Sequence, residues 1–316
     1  MRTKGILIAI LCYLSALIIL FVIYGIKKHV FMGLEYFYLF LTIVSYLLVV
    51  VLRAFKLRNI VNFYNKITIK DACSFTGASQ LTGAFIPGRA GEILLSSILK
   101  ARYGLDISLI LPTLFVDKLI ELFFVLLYFL AAYIFFNAGM LNEYFIFNQN
   151  SLIYLLGFVI LFFIIIFTLS IIKNKIPKLE MLLTNFREGF LLLFKQKKIG
   201  ISNGIISGIC IALEFYFLFT MFQTFNINIG FSKIVIIHSI GMIIGIISLI
   251  PGGQGTTEVS MLSVLMIWGY SSTEVMFPII GSKVIAYSLL GLIAIPALPH
   301  IVLLLKQLSR SKRSKS

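Results

Sequence analysis

The sequence predicts an all-α polytopic membrane protein. It should have about six full spans and two re-entrant, broken-helix hairpins arranged as an inverted repeat. Three observations predict this. Of the 316 residues, 60% are hydrophobic and the mean hydropathy is +1.04, and several apolar runs reach the roughly 20 residues that cross a bilayer. The +15 net charge is positional: 21 of the 27 Lys and Arg fall in segments expected to face the cytoplasm. Two stretches, Phe85–Glu92 (FIPGRAGE) and Leu249–Glu258 (LIPGGQGTTE), break otherwise apolar segments with Pro-Gly.

In chain order, residues 5–26 form a span running from inside to outside, retained because no small-residue cleavage site follows it. Residues 34–52 return to the inside. The basic stretch 53–70 is expected to lie on the inner membrane surface as an amphipathic segment. Residues 71–103 make the first hairpin, breaking at Pro87-Gly88 and closing on Lys100 and Arg102. A long span covers 106–136. The loop 137–150 carries no Lys or Arg, as an outer loop should. Span 151–172 follows, then the polar segment 173–200, which joins the two halves. Span 201–222 runs outward, 233–268 forms the second hairpin, and 273–298 returns to a basic cytoplasmic tail. The run 233–249 is 17 residues long, so a full span is the alternative to a hairpin arm there.

The two halves, about 34–136 and 201–298, share more than composition. Gly77 lies ten residues before Pro87, as Gly241 does before Pro251, and Lys118 follows Gly104 by 14, as Lys283 follows Gly269. Both copies carry Ile-Pro-Gly followed by a glutamate. With the first hairpin opening inward and the second outward, the copies are inverted, an arrangement common among secondary transporters whose broken helices meet at the midplane.

Composition also excludes classes. Cys12, Cys73 and Cys210 sit in apolar or intramembrane segments without metal spacing, so neither a disulfide framework nor a metal site is expected. No cofactor motif or enzyme constellation is present, and no catalytic residue is assigned. The basic charges flank spans, which fits anionic lipid of the inner leaflet rather than nucleic acid.

The chemistry concentrates at the breaks. A helix that starts in mid-membrane offers unpaired amides and the positive end of its dipole. Gly88, Gly91, Gly252, Gly253 and Gly255 let backbone approach a ligand closely. Such ends suit an anion, although the same glycines would serve a tight turn. Arg89 has the planar donor fork that matches a phosphate, or it pairs with Glu92 three residues on. Lys118 and Lys283 lie roughly 15–18 Å into their spans at 1.5 Å per residue. A lysine at that depth costs about 3 kcal/mol or more. Asp117 or Glu121 can offset Lys118. The partner of Lys283 must be Glu258, Glu214 or a ligand phosphate. Glu92 and Glu258 occupy first helical turns, where they cap or exchange protons. Glu214, alone in an apolar run, pairs across helices or carries a proton. His238 is expected to be hydrogen-bonded within the second hairpin.

PGRAGE, then D-K-x-x-E at 117–121, then PGGQGTTE resembles the flippase-like membrane family that includes the transmembrane domain of lysylphosphatidylglycerol synthases and of some lipid-linked glycosyltransferases. The resemblance spans about 5–300. The family's usual acidic-basic pair, often Glu-Arg, is Asp117-Lys118 here. The resemblance implies movement of lipids or lipid-linked groups between leaflets. The expected function is translocation of an anionic phospholipid or lipid-linked phosphate or sugar across the cytoplasmic membrane, with both termini cytoplasmic and Arg89, Lys118 and Lys283 around the phosphate. The expected partners are membrane lipid and, in addition, a lipid-modifying synthase or glycosyltransferase. The rivals are a secondary transporter of a small soluble anion, a membrane enzyme acting on a lipid-linked sugar, and a non-transporting scaffold.

Overall fold

A computed structural model describes residues 34–86, 90–135, 197–248 and 250–304. The expected spans 5–26 and 151–172, the loop 137–150, most of the segment 173–200, and Gly88 and Arg89 lie outside the described residues. All regular structure among those described is helical: α1 Tyr36–Val61, α2 Ile69–Phe85, α3 Ala90–Tyr103, α4 Ile107–Phe135, α5 Lys197–Thr224, α6 Phe231–Ile247, α7 Thr256–Ile267 and α8 Ser272–Ala294. Short 3₁₀ turns at Pro251–Gly253 and Ile295–Ala297 complete it. Among the described residues, the helices Tyr36–Val61, Lys198–Thr224 and Ser272–Leu304 are long and apolar enough to cross a membrane. The chain is an all-α polytopic membrane protein.

Helices α1 and α5 form the antiparallel centre. Their pairing runs from Glu35 N–H to the Thr224 carbonyl at one end, through Thr42 to Thr220 at 2.9 Å and Tyr46 against Phe217, to Asn59 and Asn203 at 3.0 Å at the other. The outer face of α5 is a stripe of Ile201, Ile205, Ile209 and Tyr216, all exposed. Four- and seven-residue steps put these side chains on one side of the helix, the pattern expected of a face solvated by hydrocarbon.

Helices α2 and α3 fold into an antiparallel hairpin. At its open end, Arg102 Nη2 stands 3.1 Å from Asp71 Oδ2 and the Tyr103 hydroxyl donates to the same carboxylate. At its closed end, Gly91 packs on α2 so tightly that a Cβ there would land on the Ser79 carbonyl oxygen and lie 3.1 Å from Gly83 N. The small residues of α2 are a packing surface: Ser79 and Gly83 receive Gly91, a Cβ on Gly77 would come 3.0 Å from Ile293 of α8, and Ala72, Ser74 and Ala78 are buried. Thr68 caps the helix by accepting from Asp71 N–H, which satisfies one of the free amides of the first turn. Helices α6 and α7 form a second hairpin. Lys233 lies over the rings of Trp268 and Tyr270 at its open end, and Gly245 touches Gly253 and Thr257 at its closed end.

Helix α8 relates the two. Its first turns join Ile234, Leu265 and Val275 at the open end of the second hairpin. Its middle holds Tyr287 with Ala84 and Tyr46. Its far end joins Leu99, Phe75 and Ala297 at the open end of the first hairpin. The hairpins thus lie along α8 from opposite ends, with their closed ends meeting at its middle.

One expectation is corrected. Residues 53–61 do not leave the span for the surface; they continue α1 as the same helix. Lys56 is 1% exposed and Ala54, Leu57, Ile60 and Val61 are buried around it. The buried positions 46, 49, 56, 57 and 60, with the partly buried Arg53 between them, keep helical spacing straight through the charges. Arg53 and Lys56 therefore belong to the interior and are not flanking charges. Lys66 and Lys70, beyond the helix, are exposed as expected.

Candidate functional site

Two groups of charged side chains lie inside the bundle. The first gathers around the middle of α4. Leu114, Asp117, Glu121 and Val125 are buried and spaced at three and four residues, so both acids face inward on one stripe. Lys56 Nζ lies 2.8 Å from Asp117 Oδ2 and 2.8 Å from Glu121 Oε1. Lys118 reaches the other oxygen, Glu121 Oε2, at 2.7 Å, the i, i+3 pairing that its spacing allows. From α1, Arg53 pairs through Nη2 with Glu214 Oε1 of α5, approaches Glu121 Oε1 at 3.8 Å through Nε, and donates from Nη1 to Gln80 Oε1 of α2 at 3.1 Å. His238 of α6 places Nε2 4.0 Å from Glu214 Oε2.

Three cations (Arg53, Lys56, Lys118) therefore face three acids (Asp117, Glu121, Glu214). A buried charge is tolerated when it is paired and hydrogen-bonded, and this group has no formal surplus. Glu214 pairs with Arg53 and not with Lys283. His238 turns towards Glu214 on α5 and packs edge-on against Phe215 with ring centroids 5.5 Å apart, and its buried Nε2 has no hydrogen-bond partner among the described residues, so that nitrogen does not form the hydrogen bond expected within its own hairpin. Sequence reasoning missed Arg53, Lys56 and Gln80. The signal for the first two was present: they fall in register with Tyr46 and Val49 along one helical face.

The second group lies where the hairpin ends meet. Lys283 of α8 stands 3.3 Å from Glu258 Oε1 of α7, and their side chains keep 22% and 18% of their exposure. Thr257 Oγ1 donates to Glu258 Oε2 at 2.7 Å, Gln254 Nε2 donates to the Tyr287 hydroxyl, and Tyr287 lies beside Lys283. Gly252 and Gly253 take φ of +56° and +65°, a region that costs an L side chain roughly 1–2 kcal/mol. Gly252 has a second reason to lack a side chain. A Cβ would approach Ala84 Cα to 2.8 Å and its carbonyl to 3.1 Å. Gly255 caps α7 and faces open space. Gly91 serves contact within the first hairpin. Glu92, half-buried in the first turn of α3, forms no ion pair with a described residue.

The structure thus places Lys118 and Lys283 in separate ion pairs. Tyr46 stands between the groups, close enough to sense Arg53, Glu214 and Tyr287. Among the described residues, no cluster of side chains could hold a metal ion.

Comparison with known proteins adds family information. The profile described as the lysylphosphatidylglycerol synthase TM region matches residues 5–294. A UPF0104 membrane protein of Methanocaldococcus jannaschii is 24% identical over 210 residues, covering 65% of this chain and 87% of that protein. Another UPF0104 membrane protein, from Methanothermobacter thermautotrophicus, is 34% identical over 65 residues, 21% of this chain and a 20% share of its own length. No solved structure matches the chain.

Proposed function

The chain belongs to the lysylphosphatidylglycerol synthase TM region family, and from that premise we propose that it is a flippase-like transporter. It moves an anionic phospholipid or a lipid-linked phosphate or sugar between leaflets. The observation that carries the reading is the meeting of the two hairpin ends beside a partly exposed ion pair, Lys283 with Glu258.

In a bilayer the two hairpins are re-entrant, and the halves 34–136 and 201–298 form an inverted repeat. Length supports this: the returning arms α3 and α7 have 14 and 12 residues, about 21 and 18 Å at 1.5 Å per residue. The hydrocarbon core is about 30 Å thick, so neither arm crosses it. Two arms entering from opposite faces would put the meeting point of their ends, with Gly252 against Ala84, near the midplane. Irregular backbone there needs cover from protein or from a polar cavity. Lys283 then stands where a headgroup phosphate would pass. Because Glu258 already neutralises it, the phosphate must exchange with the carboxylate for the ammonium, and the ion pair acts as a substitutable counter-ion. Arg89, at the first break, supplies the second cation. Lys118 is held by Glu121 in the other group and would have to leave that pair to join the phosphate.

The protein moves the lipid and does not synthesise it. A synthase or glycosyltransferase partner would supply the substrate, and the membrane is the cytoplasmic one, with both termini inside. The test is native mass spectrometry of the protein from mild detergent beside the variant Arg89→Ala/Lys118→Ala/Lys283→Ala. A phosphate-bearing lipid is expected on the parent and not on the folded variant. Equal retention, or no specific lipid on either, refutes the lipid-phosphate site.

A further inference from the structure

The first charge group touches both hairpins, and it does so through one carboxylate. Glu214 of α5 holds Arg53, and Arg53 in turn holds Gln80 of the first hairpin at 3.1 Å. On the other side, Glu214 Oε2 faces His238 of the second hairpin at 4.0 Å. Gln80 lies two turns before the first break and His238 lies before the second, so the chain Gln80–Arg53–Glu214–His238 crosses the centre from one hairpin to the other.

We propose that His238 is a proton-binding site that couples proton uptake to the movement of both hairpins. Histidine is the side chain whose charge changes between about pH 5 and pH 8. The groups that face Glu214 are Arg53 and Tyr46 from α1, Glu121 from α4, His238 from α6, and Cys210 one turn back on α5. Of these, His238 alone carries an imidazole, the side chain on which the proposal rests. Nε2 is buried with no hydrogen-bond partner among the described residues and stands opposite Glu214 Oε2, while the side chain as a whole keeps 20% exposure.

The balance is simple. With His238 neutral, Glu214 serves one cation, Arg53, and Arg53 is free to donate to Gln80. When Nε2 takes a proton, the imidazolium draws Glu214 Oε2 towards itself. The carboxylate is then shared between two cations, and Glu121, at 3.8 Å from Arg53 Nε, becomes the competing partner for the guanidinium. Turning Arg53 towards Glu121 withdraws Nη1 from Gln80. Protonation on the second hairpin thus releases a hydrogen bond on the first. The proton stays on the imidazole until the reverse change expels it, and no other bond forms or breaks. Coupling of this kind would tie lipid movement to a proton gradient. The transport consequence rests on the flippase reading, but the proton-linked contact does not.

The experiment is hydrogen exchange of the full chain in lipid nanodiscs, followed in peptides covering α2 at about pH 8 and about pH 5.5 and corrected for the intrinsic rate. Lipid translocation is measured in vesicles at the same pH values. In the parent, opening of α2 is expected to rise roughly tenfold on acidification, about the value of one hydrogen bond to a charged group. In His238→Gln, which keeps a polar side chain but cannot take a charge, the profile is expected to be flat. Glu214→Gln should also flatten it. A flat parent profile, or an unchanged profile in His238→Gln, overturns the proposal. Should the exchange profile appear as expected while no lipid moves, the flippase reading fails and the proton-linked contact stands.

Discussion

Replacing Lys56 by methionine separates a buried charge from a surface one. Lys56 is 1% exposed, and its ammonium is 2.8 Å from both Asp117 and Glu121. After the substitution Glu121 keeps Lys118 at 2.7 Å and Arg53 nearby. Asp117 fares worse. Its Oδ2 loses the one ion pair formed among the described residues, and its Oδ1 has no hydrogen-bond partner there. Removing one member of a buried pair costs about 3–5 kcal/mol, because the other charge stays buried. At about 1.4 kcal/mol per factor of ten, the unfolding equilibrium should shift by two to three powers of ten or more. The assay is equilibrium unfolding in mixed micelles, with Lys66→Met as the exposed control, expected to change stability by less than about 0.5 kcal/mol. The double variant Lys56→Met/Asp117→Asn should regain a large part of the loss, since it removes both charges. A Lys56→Met cost no larger than that of Lys66→Met would refute the buried pairing and return residues 53–70 to the membrane surface.

Further outcomes follow from the same geometry. Gly252→Ala should cost about 2–4 kcal/mol by melting temperature in detergent, combining backbone strain at φ +56° with collision against Ala84. Gly255→Ala, at φ +80° but facing open space, should cost only the strain of about 1–2 kcal/mol, and equal costs would mean that the hairpin ends do not touch. Gly91→Ala drives a methyl into the Ser79 carbonyl and Gly83 N, so folding yield should fall to a small fraction of that of Gly83→Ala, whose methyl meets nothing nearer than 3.9 Å. Lys283→Ala should abolish retention of a phosphate-bearing lipid in native mass spectrometry. Glu258→Gln should tighten retention, because it frees the ammonium from its counter-ion, and weaker retention would count against exchange at this pair.

Much of the helix plan is legible in the chain because hydrocarbon enforces it. Backbone amides in a bilayer must be satisfied within a segment, so apolar length and the Pro-Gly breaks locate α2 with α3 and α6 with α7 within two or three residues. The glycines were equally readable, since a chain this apolar has few reasons to place Gly-Gly beside proline. The pairings of Lys118 with Glu121 and of Lys283 with Glu258 were within the options that spacing offered. Charge statistics misled at Arg53 and Lys56. Basic residues after an apolar run normally mark its inner end, and that rule cannot see an acid on another helix.

The sequence by itself determined that this chain lives in a membrane as helices, where the helices break, and which family it resembles. These depend on local composition and on the cost of unsatisfied backbone in lipid, both of which a linear string contains. Only the tertiary structure decided that Arg53 and Lys56 are interior ions and that Glu214 serves Arg53. It also decided that His238 faces a neighbouring helix, and that one hairpin's end rests on the other's. Each of these is a meeting of residues separated in the sequence, 161 residues apart for Arg53 and Glu214. The physical reason is that a buried charge takes whichever counter-charge the packing of helices brings within about 4 Å, and helix packing is a property of the whole bundle.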